Sequence, residues 1–446
     1  MRVLFTTFAW PSHYYPMVPL AWALRAAGHE VRMTSQPDLL PTLRASGLPV
    51  TAVGQDVDFA TEFREAAQRL PPTAGHAAPR EPRPGTERYT DHLAVDPDNP
   101  HQVQGLRVLR QLESEMWMIF EDIYRRRRQR MSRALQVSPF GEIGLAMAED
   151  LLALARAWRA DVIVYDPMTY AGPLVARLLG VPAVRNLFGP DVTYFQRAAR
   201  WAENGLLDRF GLDELDLHGA ASIDPCPPEL QLPQDIAPTT RWHIRHIPYP
   251  GLAEVPAWLS DQSRRPRMCL TWGTSIHRLL GAKAFLAPAV LHGAARLAAQ
   301  RNAELVLAIT AGQRHLVPVV PANVRVVESV PLDALLPTCQ ILIHQGGAGT
   351  MLTGLGHAIP QLILPHIFDE AANAFQLVAA GAAIVHAAAE VTATEIVSSG
   401  HRLLDDPVHA AAAQRLRAQI HAQATPAELV RRLSALRSEM VAAPAR

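Results

Sequence analysis

Lysine is almost missing from this chain: Lys283 is the only one among 42 basic residues, and 42 Asp and Glu balance them to a formal charge of zero. Neutralising phosphates takes a basic excess, so this balance argues against a nucleic-acid or anionic-membrane binder. The surplus of arginine, alanine and proline reads as GC-rich codon bias. Cysteine is equally scarce. Cys226, Cys269 and Cys339 are odd in number and far apart, which excludes a disulfide framework or a CxxC metal site and leaves buried free thiols. No apolar run reaches the roughly 18 residues that would span a bilayer. The first apolar segment, residues 3–8, lacks the charged n-region and cleavage site of a signal peptide, so a soluble cytoplasmic protein is expected. Familiar phosphate and hydrolase motifs are absent too. Lys283 stands outside a GxxxxGK[ST] frame, the first loop, residues 9–16, has no glycine, and neither HExxH nor GxSxG occurs, so NAD, FAD and ATP lose ground.

What is present is the grammar of parallel α/β proteins. A length of 446 residues suggests two or three domains. A strand at residues 3–8, a loop at 9–16, a helix ending at Gly28 and a strand at 30–34 make one βαβ unit. Further strands are expected at 161–165 and 181–185, around a helix at 172–179. The second half repeats the pattern, with strands at 267–272, 304–309, 324–330, 340–344 and 361–364 and a helix at 283–300. Two doubly wound domains result. Between them, residues 225–266 are dense in proline, which blocks helix and sheet interior alike and marks a linker.

Residues 70–101 depart from this rhythm, being rich in proline, charge and glycine. After them, Leu106, Leu109, Leu112, Met116, Ile119, Phe120 and Ile123 recur at three- and four-residue spacing, followed by the basic run 125–128 and Arg130. This spells a helix with one apolar face, turned either to the core, with a solvated basic end, or to a partner.

The most informative segment is "HQGGAGT", His344 to Thr350, between a strand and a helix. Three glycines let a backbone approach a ligand, and a helix N-terminus aims free N–H groups and a positive dipole end at it, so an anion such as a diphosphate is the natural occupant. His344 would add a donor. Gly273, Thr274 and Ser275 form a second, weaker loop of the same type. The pairs Asp56/Asp58 and Asp96/Asp98 read as turn chemistry rather than as metal ligands. His13, in the loop after the first strand, carries the side chain most often used as a general base, and Asp166, ending the strand "VIVY", would hold its far nitrogen if the two strands are neighbours.

Residues 12–31, 330–350 and 360–374 together resemble the family 1 nucleotide-sugar glycosyltransferases, and more narrowly their bacterial branch that tailors polyketide antibiotics with deoxysugars. The resemblance spans nearly the whole chain and is weakest at 55–150. It implies the GT-B fold: two Rossmann-like doubly wound parallel-sheet domains facing across a cleft. The acceptor domain would cover residues 1–235, with an insertion at about 55–150, and the nucleotide-sugar domain 236–425. The last helix, 426–446, would pack back on the first domain. Also implied is a metal-free inverting transfer, with no cofactor beyond a dTDP-sugar substrate. His13 would take the acceptor proton and Asp166 orient it. His344, Gly346, Gly347, Ala348, Gly349, Thr350 and Ser275, with Gly273 and Thr274 beside them, would hold the diphosphate. Val330 would meet the pyrimidine, and Asp369 with Glu370 the sugar hydroxyls. Leu352 stands where plant members bind both ribose hydroxyls with a glutamate, which favours dTDP over UDP. Many relatives have glutamine in place of Glu370, whose carboxylate would suit a cationic amino sugar or be an ordinary surface charge.

Trp10, Tyr14, Tyr170 and Phe188 fit a hydrophobic aglycone pocket and a plain core equally well. A cytochrome-P450-like helper, as in some members of the branch, would dock on the helix at 102–130, and a homodimer is an open option. The runner-up readings are a GT-B sugar-nucleotide epimerase or hydrolase and a catalytically silent partner protein.

Overall fold

The computed structural model describes residues 1–70, 88–130, 138–194, 204–259 and 265–442. Strands β1 (Arg2–Thr6), β2 (Glu30–Ser35), β3 (Val50–Ala52), β4 (Val162–Tyr165), β5 (Ala183–Asn186), β6 (Ala221–Asp224) and β7 (Arg241–His243) form one parallel sheet in the order β3-β2-β1-β4-β5-β6-β7. A second parallel sheet holds β8 (Arg267–Thr271), β9 (Glu304–Ile309), β10 (Val324–Glu328), β11 (Cys339–His344), β12 (Gln361–Ile363) and β13 (Ala383–Val385), ordered β10-β9-β8-β11-β12-β13. Central strands such as β4 are buried at every position, which explains their unbroken apolar sequence: helices cover both faces of a parallel sheet. In each sheet the strand order reverses once, between β1 and β4 and between β8 and β11. Loops at such a point part to opposite faces and leave a crevice at the strand C-termini.

Three expected boundaries move. The first sheet extends past residue 235, because β7 pairs with β6. The loop at 9–16 contains a helical turn, Pro11–Tyr14, started by proline at its first position, where the missing N–H costs nothing. For the same reason the helix expected from 283 begins at Pro288, since proline cannot sit inside it. The C-terminal helix Pro426–Ala442 buries Leu429, Val430 and Leu433 with Val3, Phe5, Leu20 and Leu24 of the N-terminal domain.

The helix Pro100–Arg130 resolves the choice left open for its apolar stripe. Val108, Leu109 and Leu112 pack on Phe368, Ala371, Ala372 and Phe375 of the C-terminal domain, while Ile119 and Ile123 join the N-terminal core. Gly105 makes the first contact close: a Cβ there would already lie 3.4 Å from Phe375 and Val385. The basic end is also engaged. Arg127 is buried between Glu62 and Glu142, each at 2.5 Å, and Arg125 and Arg126 pair with Asp122. The two ends of the stripe are thus covered by the chain's own domains, while Met116 and Phe120 in its middle face the space between them.

Candidate active site

The turn after β1 and the loop after β4 meet at the first reversal point. There His13 Nδ1 lies 2.6 Å from Asp166 Oδ2, with the Asp166 side chain fully buried and that of His13 11% exposed. The other carboxylate oxygen of Asp166 accepts the Met168 N–H at 2.8 Å, which fixes the carboxylate's orientation. Phe188 and Phe8 hold the imidazole from its sides, with ring centroids 4.2 and 4.9 Å away. With Nδ1 donating to a buried carboxylate, Nε2 presents a lone pair: the arrangement of an oriented general base.

At the second reversal point, the loop after β11 leads into the helix Ala348–Gly356 and lies beside the Gly273–Ser275 turn after β8. His344 has a different task from the direct phosphate donor expected of it. It is completely buried, with Nε2 2.8 Å from Gln361 Oε1 and Nδ1 accepting the Gly346 N–H at 3.1 Å, so both ring nitrogens are spent inside the protein. Burial lowers its pKa to about 4 and keeps it neutral. Gly346 is likewise internal. Its N–H serves His344, its carbonyl accepts from Asn373 Nδ2 at 2.8 Å, and its φ of +109° with a Glu370 carbonyl 2.8 Å from any added Cβ makes glycine obligatory. The histidine and first glycine of the motif therefore shape the loop. Gly347, Ala348, Gly349 and Thr350, at the start of the helix, line the cavity.

That cavity, of about 830 Å³, runs between the domains. Its C-terminal wall holds Gly273, Thr274, Ser275, Val330 and residues 347–350, and its N-terminal wall is aromatic and aliphatic, with His13 between them. Ser12 and Ser275 face each other across the gap with hydroxyls 3.5 Å apart. Among the described residues no lysine or arginine lines it. Asp369 and Glu370 do, in the first turn of the helix Phe368–Ala379, and burial raises both carboxyls, with Asp369 further raising Glu370 and His13 partly offsetting the rise at Asp369.

Residues 22–88 and 113–273 match the family described as "Erythromycin biosynthesis protein CIII-like, N-terminal domain", and residues 294–436 match its C-terminal domain. The 10-deoxymethynolide desosaminyltransferase of Streptomyces venezuelae is 35% identical over 100% of this chain and 99% of its own length. The aklavinone 7-beta-L-rhodosaminyltransferase of Streptomyces galilaeus is 33% identical, over 96% and 94%. The chain belongs to this family of glycosyltransferases. Among solved structures, the glycosyltransferase VinC in complex with dTDP superposes with a TM-score of 0.71 at 29% identity, covering 98% of this chain and 100% of that one. The spinosyn rhamnosyltransferase SpnG, solved with the spinosyn aglycone, gives 0.70 at 29%, over 97% and 100%. The fold is GT-B.

In this glycosyltransferase the four apolar residues expected at the acceptor divide evenly. Trp10 and Phe188 line the cleft, and Arg278 of the opposite domain stacks on Trp10, 4.6 Å from the ring centroid. Tyr14 and Tyr170 do not. Tyr14 is fully buried with its hydroxyl on Ser46 at 2.6 Å, and Tyr170 packs in the N-terminal core. Leu352 also faces the core, in one cluster with Cys226, Leu230 and Ile363, so its side chain is turned away from the cleft. Several lining residues were missed: Phe59, Phe63, Met116, Phe120 and Phe140 from the insertion, and His246, Pro248, Tyr249 and Pro250 from the linker. Phe59 and Phe63, like Met116 and Phe120 of the apolar stripe, are one helical turn apart, but nothing local says that these faces meet a cavity rather than a core.

Proposed function

We propose that this glycosyltransferase moves a deoxysugar from a dTDP-sugar to a hydroxyl of a polyketide-type aglycone, inverting the anomeric carbon without a metal ion. The observation that carries this reading is the position of the His13–Asp166 pair where the aromatic wall of the cleft meets its glycine-loop wall. An aglycone against Phe59, Phe63 and Phe120 would bring its hydroxyl to His13 Nε2. As that oxygen attacks the anomeric carbon its proton passes to His13, the new C–O bond forms, and the bond to the diphosphate breaks on the opposite face. Asp166 stabilises the imidazolium.

The leaving dTDP gathers charge, and residues 347–350 would meet it with backbone N–H groups, the Thr350 hydroxyl and the helix dipole. Asp369 and Glu370 would take the sugar hydroxyls. Such a preorganised neutral cradle supports a metal-free reaction, and a positioned base adds roughly 10² to 10⁴ in rate. The dTDP bound to VinC and the aglycone bound to SpnG support the two halves of the reading.

The test is to incubate purified enzyme with a dTDP-deoxysugar and polyketide aglycones in EDTA, with products identified by mass and their anomeric configuration by NMR. The expected result is an aglycone glycoside of inverted configuration, lost a hundredfold or more in His13→Ala. Retention, a strict metal requirement, or release of free or epimerised sugar without glycoside would overturn it, the last favouring the epimerase or hydrolase reading.

A further inference from the structure

The linker brings one titratable side chain into the donor end of the cleft that the mechanism does not use. His246, three residues beyond β7, lines the cavity, and its Nε2 lies 3.3 Å from the Thr353 hydroxyl of the helix Ala348–Gly356. That hydroxyl has a single proton, which it gives to the Gly349 carbonyl at 2.6 Å. It can therefore only accept from His246, so the imidazole carries its proton on Nε2. Burial lowers the pKa of His246 to about 4, so the ring is neutral and Nδ1 bears a lone pair. Among the described residues Nδ1 makes no hydrogen bond.

Thr353 sits one helical turn, about 5.4 Å, beyond Gly349 and so beyond the loop that would hold the diphosphate. The ring thus presents a fixed acceptor a short step past the phosphate cradle, and the group a nucleotide offers there is the hydroxyl of its ribose. Leu352, on the same helix, is buried in the core and offers no acceptor. We propose that His246 is a nucleoside-binding residue whose Nδ1 accepts a hydrogen bond from the 3′-hydroxyl of the donor, with Thr353 and Gly349 locking the tautomer that makes this possible. The inference rests on the reading of the cleft as a nucleotide-sugar site. It gives the interdomain linker a direct part in donor recognition.

The test is calorimetric titration of the full-length enzyme, its His246→Phe and His246→Gln variants, with dTDP and with 3′-deoxythymidine diphosphate. Wild type is expected to prefer dTDP by about three- to tenfold, the range of one net hydrogen bond. His246→Phe should bind the two alike, at the weaker level, and His246→Gln should regain part of the preference through its amide oxygen. A second readout uses wild type alone: with 15N-labelled histidine, the His246 Nδ1 resonance should shift on adding dTDP and stay put with the 3′-deoxy analogue. A preference kept in His246→Phe, or an Nδ1 shift identical for both ligands, would overturn the proposal, the latter pointing to a contact with the base. Equal weakening of both ligands in the variant would also sink it, as a purely structural role through Thr353. Wild type that binds neither nucleotide would instead overturn the function proposed above.

Discussion

Gly189 of the N-terminal domain lies against Ala348 of the C-terminal domain so closely that a Cβ on Gly189 would come within 2.6 Å of the Ala348 methyl carbon. The two residues belong to opposite halves of the chemistry. Gly189 follows Phe188, whose ring packs on His13, and Ala348 opens the helix beneath the proposed diphosphate site. The spacing between the proposed base and the proposed diphosphate site is therefore set by a contact that only glycine permits.

Gly189→Ala should wedge the domains apart by a fraction of an ångström. No positive φ is involved, so the variant should fold and melt near the wild-type temperature. Transfer depends steeply on the alignment of base, acceptor and anomeric carbon, and a misplacement of about 1 Å costs on the order of 100-fold. We expect kcat to fall at least tenfold while dTDP binding, measured by calorimetry, changes little. Unchanged turnover would show that the closed spacing does not limit the reaction.

Asp166→Asn tests the base directly. The amide would offer an N–H to His13 Nδ1 where the carboxylate accepts one, favouring the tautomer with its proton on Nε2, where the acceptor hydroxyl must be deprotonated. Single-turnover rates should fall by roughly 10² to 10⁴ with the KM for the donor near wild type. Because the two residues act as one unit, adding His13→Ala should cost little more.

These residues show what can be read without a structure. Glycine loops, the strand before each and the pairing of His13 with Asp166 are local patterns placed by sheet topology, which in parallel α/β folds follows from chain order. Tyr14 and Phe188 are equally apolar in sequence. One closes a core against Ser46 and the other faces the cleft, a difference decided by distant contacts. The same holds for His344 and His246. The conspicuous motif histidine is internal scaffolding, its nitrogens taken by Gln361 and Gly346, while the inconspicuous linker histidine lines the site and bonds Thr353, 107 residues on.

Gly346→Ala should be far more damaging than Gly349→Ala. At Gly346 the left-handed φ and the Glu370 carbonyl 2.8 Å from the new Cβ force the loop to move, and with it the bond to His344. At Gly349 nothing lies within 4 Å. Strain and overpacking of this kind cost about 1 to 3 kcal/mol each. Urea unfolding should place Gly346→Ala well below wild type and Gly349→Ala within about 1 kcal/mol, the ordinary cost of exchanging glycine and alanine in a helix.

Acid should loosen the C-terminal domain through its buried histidines. The folded pKa of His344 is lowered to about 4 from the ordinary 6.5, because burial penalises the charged ring. The unfolded chain therefore binds a proton between those values that the folded chain does not, and stability is lost as pH falls through that window, by up to about 3 kcal/mol. His366 and His246 act in the same direction, while the raised carboxyls of Asp369 and Glu370 act in the opposite one. The contribution of His344 is isolated by comparing wild type with His344→Asn, which cannot titrate there. Urea unfolding at pH 7.5 and pH 5 should show the variant less stable at the higher pH, for want of the bonds to Gln361 and Gly346, and the gap narrowing at the lower. A gap that stays constant would mean that burial does not hold His344 neutral over this range.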